Sequence, residues 1–136
     1  MFLVVDANVV ISSLINKGTT FTVFKYNAFI KHCEFIAPEF LLSEINMEKL
    51  QSLTKLSKEE IEKTLSLITE QIEVIPFSKF SDKLPAAMNI NFKDSPYLAL
   101  ALTYKCPIFS GDKGLKRQTK IEVFSPRELL DILKNK

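Results

Sequence analysis

The chain has 136 residues, 46% of them hydrophobic and 25% charged, with a formal net charge of +2. That length suits one domain with a single sizeable core, expected to span residues 1–136. No apolar run approaches the roughly 20 residues of a membrane-spanning helix, and no basic segment of a signal peptide opens the chain, so it reads as a cytoplasmic protein with no membrane partner.

Phe2 to Val5 is an unbroken apolar run rich in β-branched residues, the pattern of a strand buried on both faces in a parallel sheet. It stops at Asp6. A carboxylate at the end of a buried strand is costly unless something pairs with it, and in open α/β sheets ligands bind outside the carboxyl ends of the strands. Asp6 therefore stands where a metal or substrate is expected, with Asn8 as a neutral helper. The alternative is that either residue only caps the next helix or closes a turn.

After Asn8, the VVISSLI segment predicts a short helix and Lys17 to Thr20 a turn. The next helix carries Phe21, Phe24, Ala28 and Phe29 at helical spacing, an apolar face expected in the core. Glu34 to Ala37 reads as a second strand. Pro38 is placed in the first turn of a helix reaching about Leu50, with Phe40, Leu41, Leu42 and Ile45 inward and Glu44 among them. Ser57 and Glu60 form a capping box ahead of a helix repeating Ile61, Leu65, Ile68 and Ile72. Glu73 to Ile75 is a third strand, followed by a short helix ahead of Pro85 and a polar loop around Asn89 to Asn91.

Tyr97 to Tyr104 is the clearest helix, with Ser95 as its expected N-cap and Pro96 at its first position. Pro107 to Ser110 and Ile121 to Phe124 are the fourth and fifth strands. Ser125 and Glu128 form a second capping box, opening a C-terminal helix with Leu129, Leu130 and Leu133 on one side. Strands alternating with helices predict an α/β fold: a three-layer α/β/α sandwich around a central, mostly parallel five-stranded sheet.

Two cysteines, Cys33 and Cys106, and one histidine, His32, leave little material for a disulfide framework, a zinc site or a histidine-based mechanism. If their strands flank the first one, the cysteines lie about 9–10 Å apart, beyond the roughly 7 Å reach of a disulfide. Charge is unevenly spread: Glu34 to Glu73 holds nine acids and four bases, whereas Thr103 to Arg127 holds six bases and two acids. A basic third beside an acidic middle suits an anionic polymer lying across one side, although a solvated surface of mixed sign explains the charge alone.

Among the acids, four stand apart by position. Asp6 follows the first strand, Glu44 lies in an apolar helix, Asp94 precedes the LALAL helix, and Asp112 follows the fourth strand. Each has a local alternative, as turn residue, exposed helix position, cap and loop aspartate respectively. Parallel strands bring the ends at Asp6 and Asp112 to one sheet edge, but topology alone does not place Asp94.

Four segments carry a resemblance: Val5-Asp6-Ala7-Asn8-Val9, Leu42-Ser43-Glu44-Ile45, Lys93-Asp94-Ser95-Pro96-Tyr97-Leu98-Ala99-Leu100, and Phe109-Ser110-Gly111-Asp112-Lys113-Gly114-Leu115. Any one is weak, but together, in this order and spacing, the chain resembles the PIN-domain ribonucleases, which include VapC-like toxins of toxin–antitoxin systems. The resemblance implies that Asp6, Glu44, Asp94 and Asp112 meet in a pocket and bind Mg²⁺ or Mn²⁺, with Asn8 and Ser110 as hydrogen-bonding support. Hard divalent ions do take carboxylate oxygens while keeping several waters. The implied activity is metal-dependent hydrolysis of RNA, with Lys93, Lys113, Lys116 and Arg117 available for RNA phosphates. The implied partners are a small antitoxin protein and a second copy in a homodimer, the latter through apolar residues between Phe21 and Phe40. One departure is Gly114, near which many relatives carry a further acid. The competing readings are an RNA-processing nuclease without antitoxin, a catalytically idle RNA- or protein-binding module, and a different metal-dependent phosphatase.

Overall fold

The computed structural model describes residues Met1–Lys136 and contains five strands and nine α-helices, with one to three α-helices between successive strands. The order is β1 (Phe2–Val5), α1 (Ala7–Ile15), α2 (Thr19–Ile30), β2 (Glu34–Pro38), α3 (Phe40–Glu44), α4 (Met47–Thr54), α5 (Lys58–Thr69) and β3 (Ile72–Ile75). Two single 3₁₀ turns, Phe77–Lys79 and Ser81–Lys83, lead to α6 (Leu84–Ile90), α7 (Ser95–Tyr104), β4 (Ile108–Phe109), α8 (Lys113–Arg117), β5 (Val123–Phe124) and α9 (Pro126–Lys134).

All strand pairs are parallel, and the sheet order is β3-β2-β1-β4-β5. The chain therefore moves outward from β1 to β2 and β3, then crosses back to β4 on the other side of β1. Right-handed crossovers require the helices to change faces when that direction reverses. They do: α1, α2, α5 and α9 pack together on one side, while α7 lies against β1, β2 and β4 with α6 behind it.

Register sorts the side chains. Leu3 pairs with Phe35 and Val5 with Phe109, so these residues share the face covered by α2. There the rings of Phe24, Phe35 and Phe109 lie 5.3–6.0 Å apart, spacings typical of attractive aromatic pairs. Leu3, Val4 and Val5 are fully buried, as expected of a central parallel strand. Helix α7 is apolar all round because it is enclosed: Tyr97 to Ala101 are each no more than 1% exposed.

Several expectations are corrected in detail. The helix expected from Pro38 to Leu50 is two: Pro38 ends β2, and a break at Ile45 lets the Asn46 side chain cap α4 by accepting from Lys49 N–H at 2.9 Å. That break rotates Phe40 and Leu42 outward and leaves only Leu41 and Ile45 inside. Phe29 is likewise exposed, because Asn27 rather than Phe29 occupies the inner position at the end of α2 and bonds the backbone of Cys33. Pro85 lies within the first turn of α6 rather than beyond a helix, and that helix absorbs the loop expected at Asn89. Both capping boxes form as read, and both cysteines are free, at the starts of the strands flanking β1. No helix is long and apolar enough to cross a membrane.

Candidate functional site

The reversal of strand order falls between β1 and β4, the switch point outside whose strand ends ligands bind in open α/β sheets. Asp6 leaves the end of β1 and Ser110 the end of β4. The Ser110 hydroxyl donates to Asp6 Oδ2 at 2.7 Å and accepts from the Asp112 N–H at 3.0 Å. One buried hydroxyl thus ties the two strand ends together. Asp6 is 3% exposed; burial pushes its carboxyl above the usual carboxylate range, against the pull of the Ser110 hydroxyl and the Asn8 amide, with Glu44 and Asp112 pushing further. The Asn8 amide stands 3.5 Å from Asp6 Oδ1, too long for a strong cap, and the Asn8 side chain is exposed in a shallow groove shared with Gly111.

Asp94 reaches the same edge by way of α7. The far end of that helix leads straight into β4, and the Tyr104 ring lies tilted against Phe2 at the start of β1, 6.2 Å between centroids. The helix therefore runs antiparallel to the strands, and its N-terminus returns to their carboxyl ends. Asp94, not Ser95, occupies the N-cap position, yet its carboxylate caps nothing. The opening amides already have partners: Ser95 N–H donates to the Phe92 carbonyl, and Tyr97 and Leu98 N–H both donate to the Asp94 carbonyl, while Pro96 has no N–H. The carboxylate is left over. It is 7% exposed, and its buried Oδ2 has no hydrogen-bond partner. Burial, then the charges of Asp6 and Asp112, push its pKa up to about 6; Lys93 opposes them and Glu44 adds to them.

Asp112 does cap its helix: Oδ1 accepts from Gly114 N–H at 2.8 Å and Leu115 N–H at 3.4 Å. A Cβ on Gly114 would lie 3.2 Å from that oxygen, so the missing acid at 114 accompanies a tight approach of backbone to carboxylate. Glu44 ends the short α3 and accepts a hydrogen bond from the Tyr97 hydroxyl at 2.5 Å. The sequence reading missed this partner. The signal was present, since Tyr97 follows Asp94 by three residues on an apolar helix and a buried phenol needs an acceptor.

The four carboxylates thus occupy one region and act on one another electrostatically, but no three of them converge into metal-coordinating geometry. Like charges in low dielectric oppose closer approach. An orphaned buried carboxylate oxygen among hard oxygen donors fits a divalent cation.

A family model of the PIN domain matches residues 4–125. The chain belongs to the PIN-domain family. Its structure is similar to a chain of VapBC2 from Rickettsia felis, described in complex with a DNA fragment from their promoter, with a TM-score of 0.64 and 17% identity over 92% of this chain and 98% of that one. It is similar as well to PAE2754 from Pyrobaculum aerophilum, with a TM-score of 0.69 and 16% identity over 99% of this chain and 90% of that one. At these identities the likeness is one of fold. A sequence comparison with curated proteins gives no match. Family membership supports a nuclease, the general activity of PIN domains.

Among the basic residues of this PIN domain, Lys116 is already engaged. Its ammonium donates to the Val123 carbonyl at 2.8 Å and pairs with Glu128, whose carboxylate also closes the Ser125 capping box. The pairing holds Glu128 at about 2, and it ties α8 to α9. Lys93, Lys113 and Arg117 are exposed. If RNA phosphates lie here, Lys113→Ala and Arg117→Ala should each reduce the salt slope of RNA binding by about one. Lys116→Ala should instead lower Tm with little change in slope. Unchanged slopes for Lys113 and Arg117, measured by fluorescence anisotropy across a salt series, would put the RNA elsewhere.

Proposed function

We propose that the protein is a metal-dependent endoribonuclease and the toxin half of a toxin–antitoxin pair, acting in the cytoplasm. Its substrate is RNA, and Asp6, Glu44, Asp94 and Asp112 hold Mg²⁺ or Mn²⁺ at the carboxyl ends of β1 and β4. The observation that carries this reading is the buried, unpartnered Oδ2 of Asp94, an acceptor that the helix does not need and that neighbouring carboxylates press on. A divalent ion held there would supply Lewis acidity, lowering the pKa of a water so that it gives up a proton and becomes the nucleophile, and would offset phosphate charge. The chain's own residues prepare for it. Ser110 holds Asp6 and the Asp112 backbone in one register, Asp112 keeps one carboxylate oxygen out of its cap, and Lys93, Lys113 and Arg117 receive flanking phosphates. Likeness of fold to the VapBC2 chain supports a small antitoxin as partner, and exposed Phe29, Tyr26 and Phe40 offer apolar area for a homodimer.

The direct test is cleavage of single-stranded RNA by purified protein. Product should form with Mn²⁺ or Mg²⁺ and cease with EDTA. Undiminished cleavage in EDTA would sink the metal assignment while leaving a nuclease.

A further inference from the structure

Glu44 is the acid least supported by its own element. Helix α3 has five residues, below the length at which a helix holds itself, and it ends at Glu44 because Ile45 leaves helical geometry. Nothing in α3 therefore fixes where the carboxylate points. Support comes from another helix. Tyr97 on α7 is 1% exposed, with its ring edge-on to Phe40 of α3 at 6.1 Å and its hydroxyl on Glu44 Oε1 at 2.5 Å.

We propose that Tyr97 is the positioning residue for Glu44, holding that carboxylate toward Asp6, Asp94 and Asp112 through a hydroxyl carried on the buried helix α7. The inference rests on the nuclease reading above and deepens it. Asp94 and the hydroxyl that aims Glu44 ride on the same helix, three residues apart, so α7 places two of the four acids together. A tyrosine that only filled the core would serve as well without its hydroxyl.

Tyr97→Phe removes that hydroxyl and keeps the ring. Loss of a residue that orients a metal ligand weakens metal affinity by about 10–100-fold, so Mn²⁺ binding by titration calorimetry should weaken at least tenfold. The double variant Tyr97→Phe/Glu44→Ala should bind no more weakly than Glu44→Ala alone, because the hydroxyl acts only through Glu44. Proton NMR of the metal-free wild type should show a Tyr97 hydroxyl protected from solvent exchange, and Glu44→Ala should abolish it. Wild-type affinity in Tyr97→Phe, additive losses in the double variant, or an unprotected hydroxyl would each overturn the inference and leave the nuclease standing. A wild type that binds no Mn²⁺ would overturn the metal reading and this inference with it. Should Tyr97→Phe fold poorly, the Glu44→Ala comparison of the hydroxyl signal still decides whether the bond exists.

Discussion

Asp6→Asn should lower RNA cleavage at saturating Mn²⁺ by about a hundred- to a thousandfold, the loss that follows removal of one preorganised electrostatic group, while leaving the fold intact. The substitution is close to isosteric. Its carbonyl oxygen can still accept from the Ser110 hydroxyl, the strong bond at this position, whereas the Asn8 contact it weakens is already 3.5 Å long. Burial raises the Asp6 pKa, so the charge is a liability to the metal-free fold and the neutral amide should melt no lower than wild type in EDTA. Activity and stability thus move in different directions. Single-turnover cleavage beside thermal melts measures both. A variant that cleaves at the wild-type rate removes Asp6 from the chemistry; one that loses activity only because it unfolds returns Asp6 to its alternative role as a cap.

The sheet was legible because its pattern is local. Leu3 to Val5 are apolar at every position and buried on both faces, so the parallel class and the strand end at Asp6 follow from one segment, whereas Phe2 at the start of the strand is 44% exposed. Asp94 was not placed from sequence, although the information was there. Tyr104 is separated from β4 by so few residues that α7 has to run back along the sheet, which returns its N-terminus to the edge holding Asp6. Glu44 was misread as sitting inside a long helix, because Leu41, Leu42 and Ile45 suggest continuity. The competing signal was Asn46, a good N-cap that starts α4 and ends α3. The exposure of Phe29 and Phe40 depends on which neighbours claim the inner positions, a tertiary fact that spacing does not carry. Lys116 was grouped with phosphate-binding residues by adjacency to Asp112; its engagement depends on α9 folding back beside α8, twelve residues later in the chain.

Asp94→Asn should raise the Tm of the metal-free protein at neutral pH and remove most of its gain from Mn²⁺. The folded protein holds this carboxyl at about 6 against an ordinary 3.8, chiefly through burial. A raised carboxyl pKa contributes stability that is fully present below 3.8 and is lost as the pH climbs through about 6. Above that, wild type carries a desolvated charge that the amide does not. The difference corresponds to at most about 3 kcal/mol at 1.36 kcal/mol per pH unit, and solvent screening brings it to about 1–2 kcal/mol. At roughly 3–5 °C per kcal/mol for a domain of this size, the variant should melt several degrees higher in EDTA at pH 7.5, with the advantage vanishing as the pH falls below 4. Mn²⁺ reverses the order, because a ligand that binds only the folded state stabilises it by about 2.7 kcal/mol at a hundred times Kd, and the variant has given up a ligand oxygen. If Asp94 were a helix cap, Asn would cap equally well and the two proteins would melt together at every pH and respond alike to Mn²⁺. The geometry argues against that outcome, since every amide opening α7 is satisfied without the carboxylate. Paired melts of wild type and variant from pH 4 to 8, each with EDTA and with Mn²⁺, separate the two roles, and equal metal-induced shifts would remove Asp94 from the site.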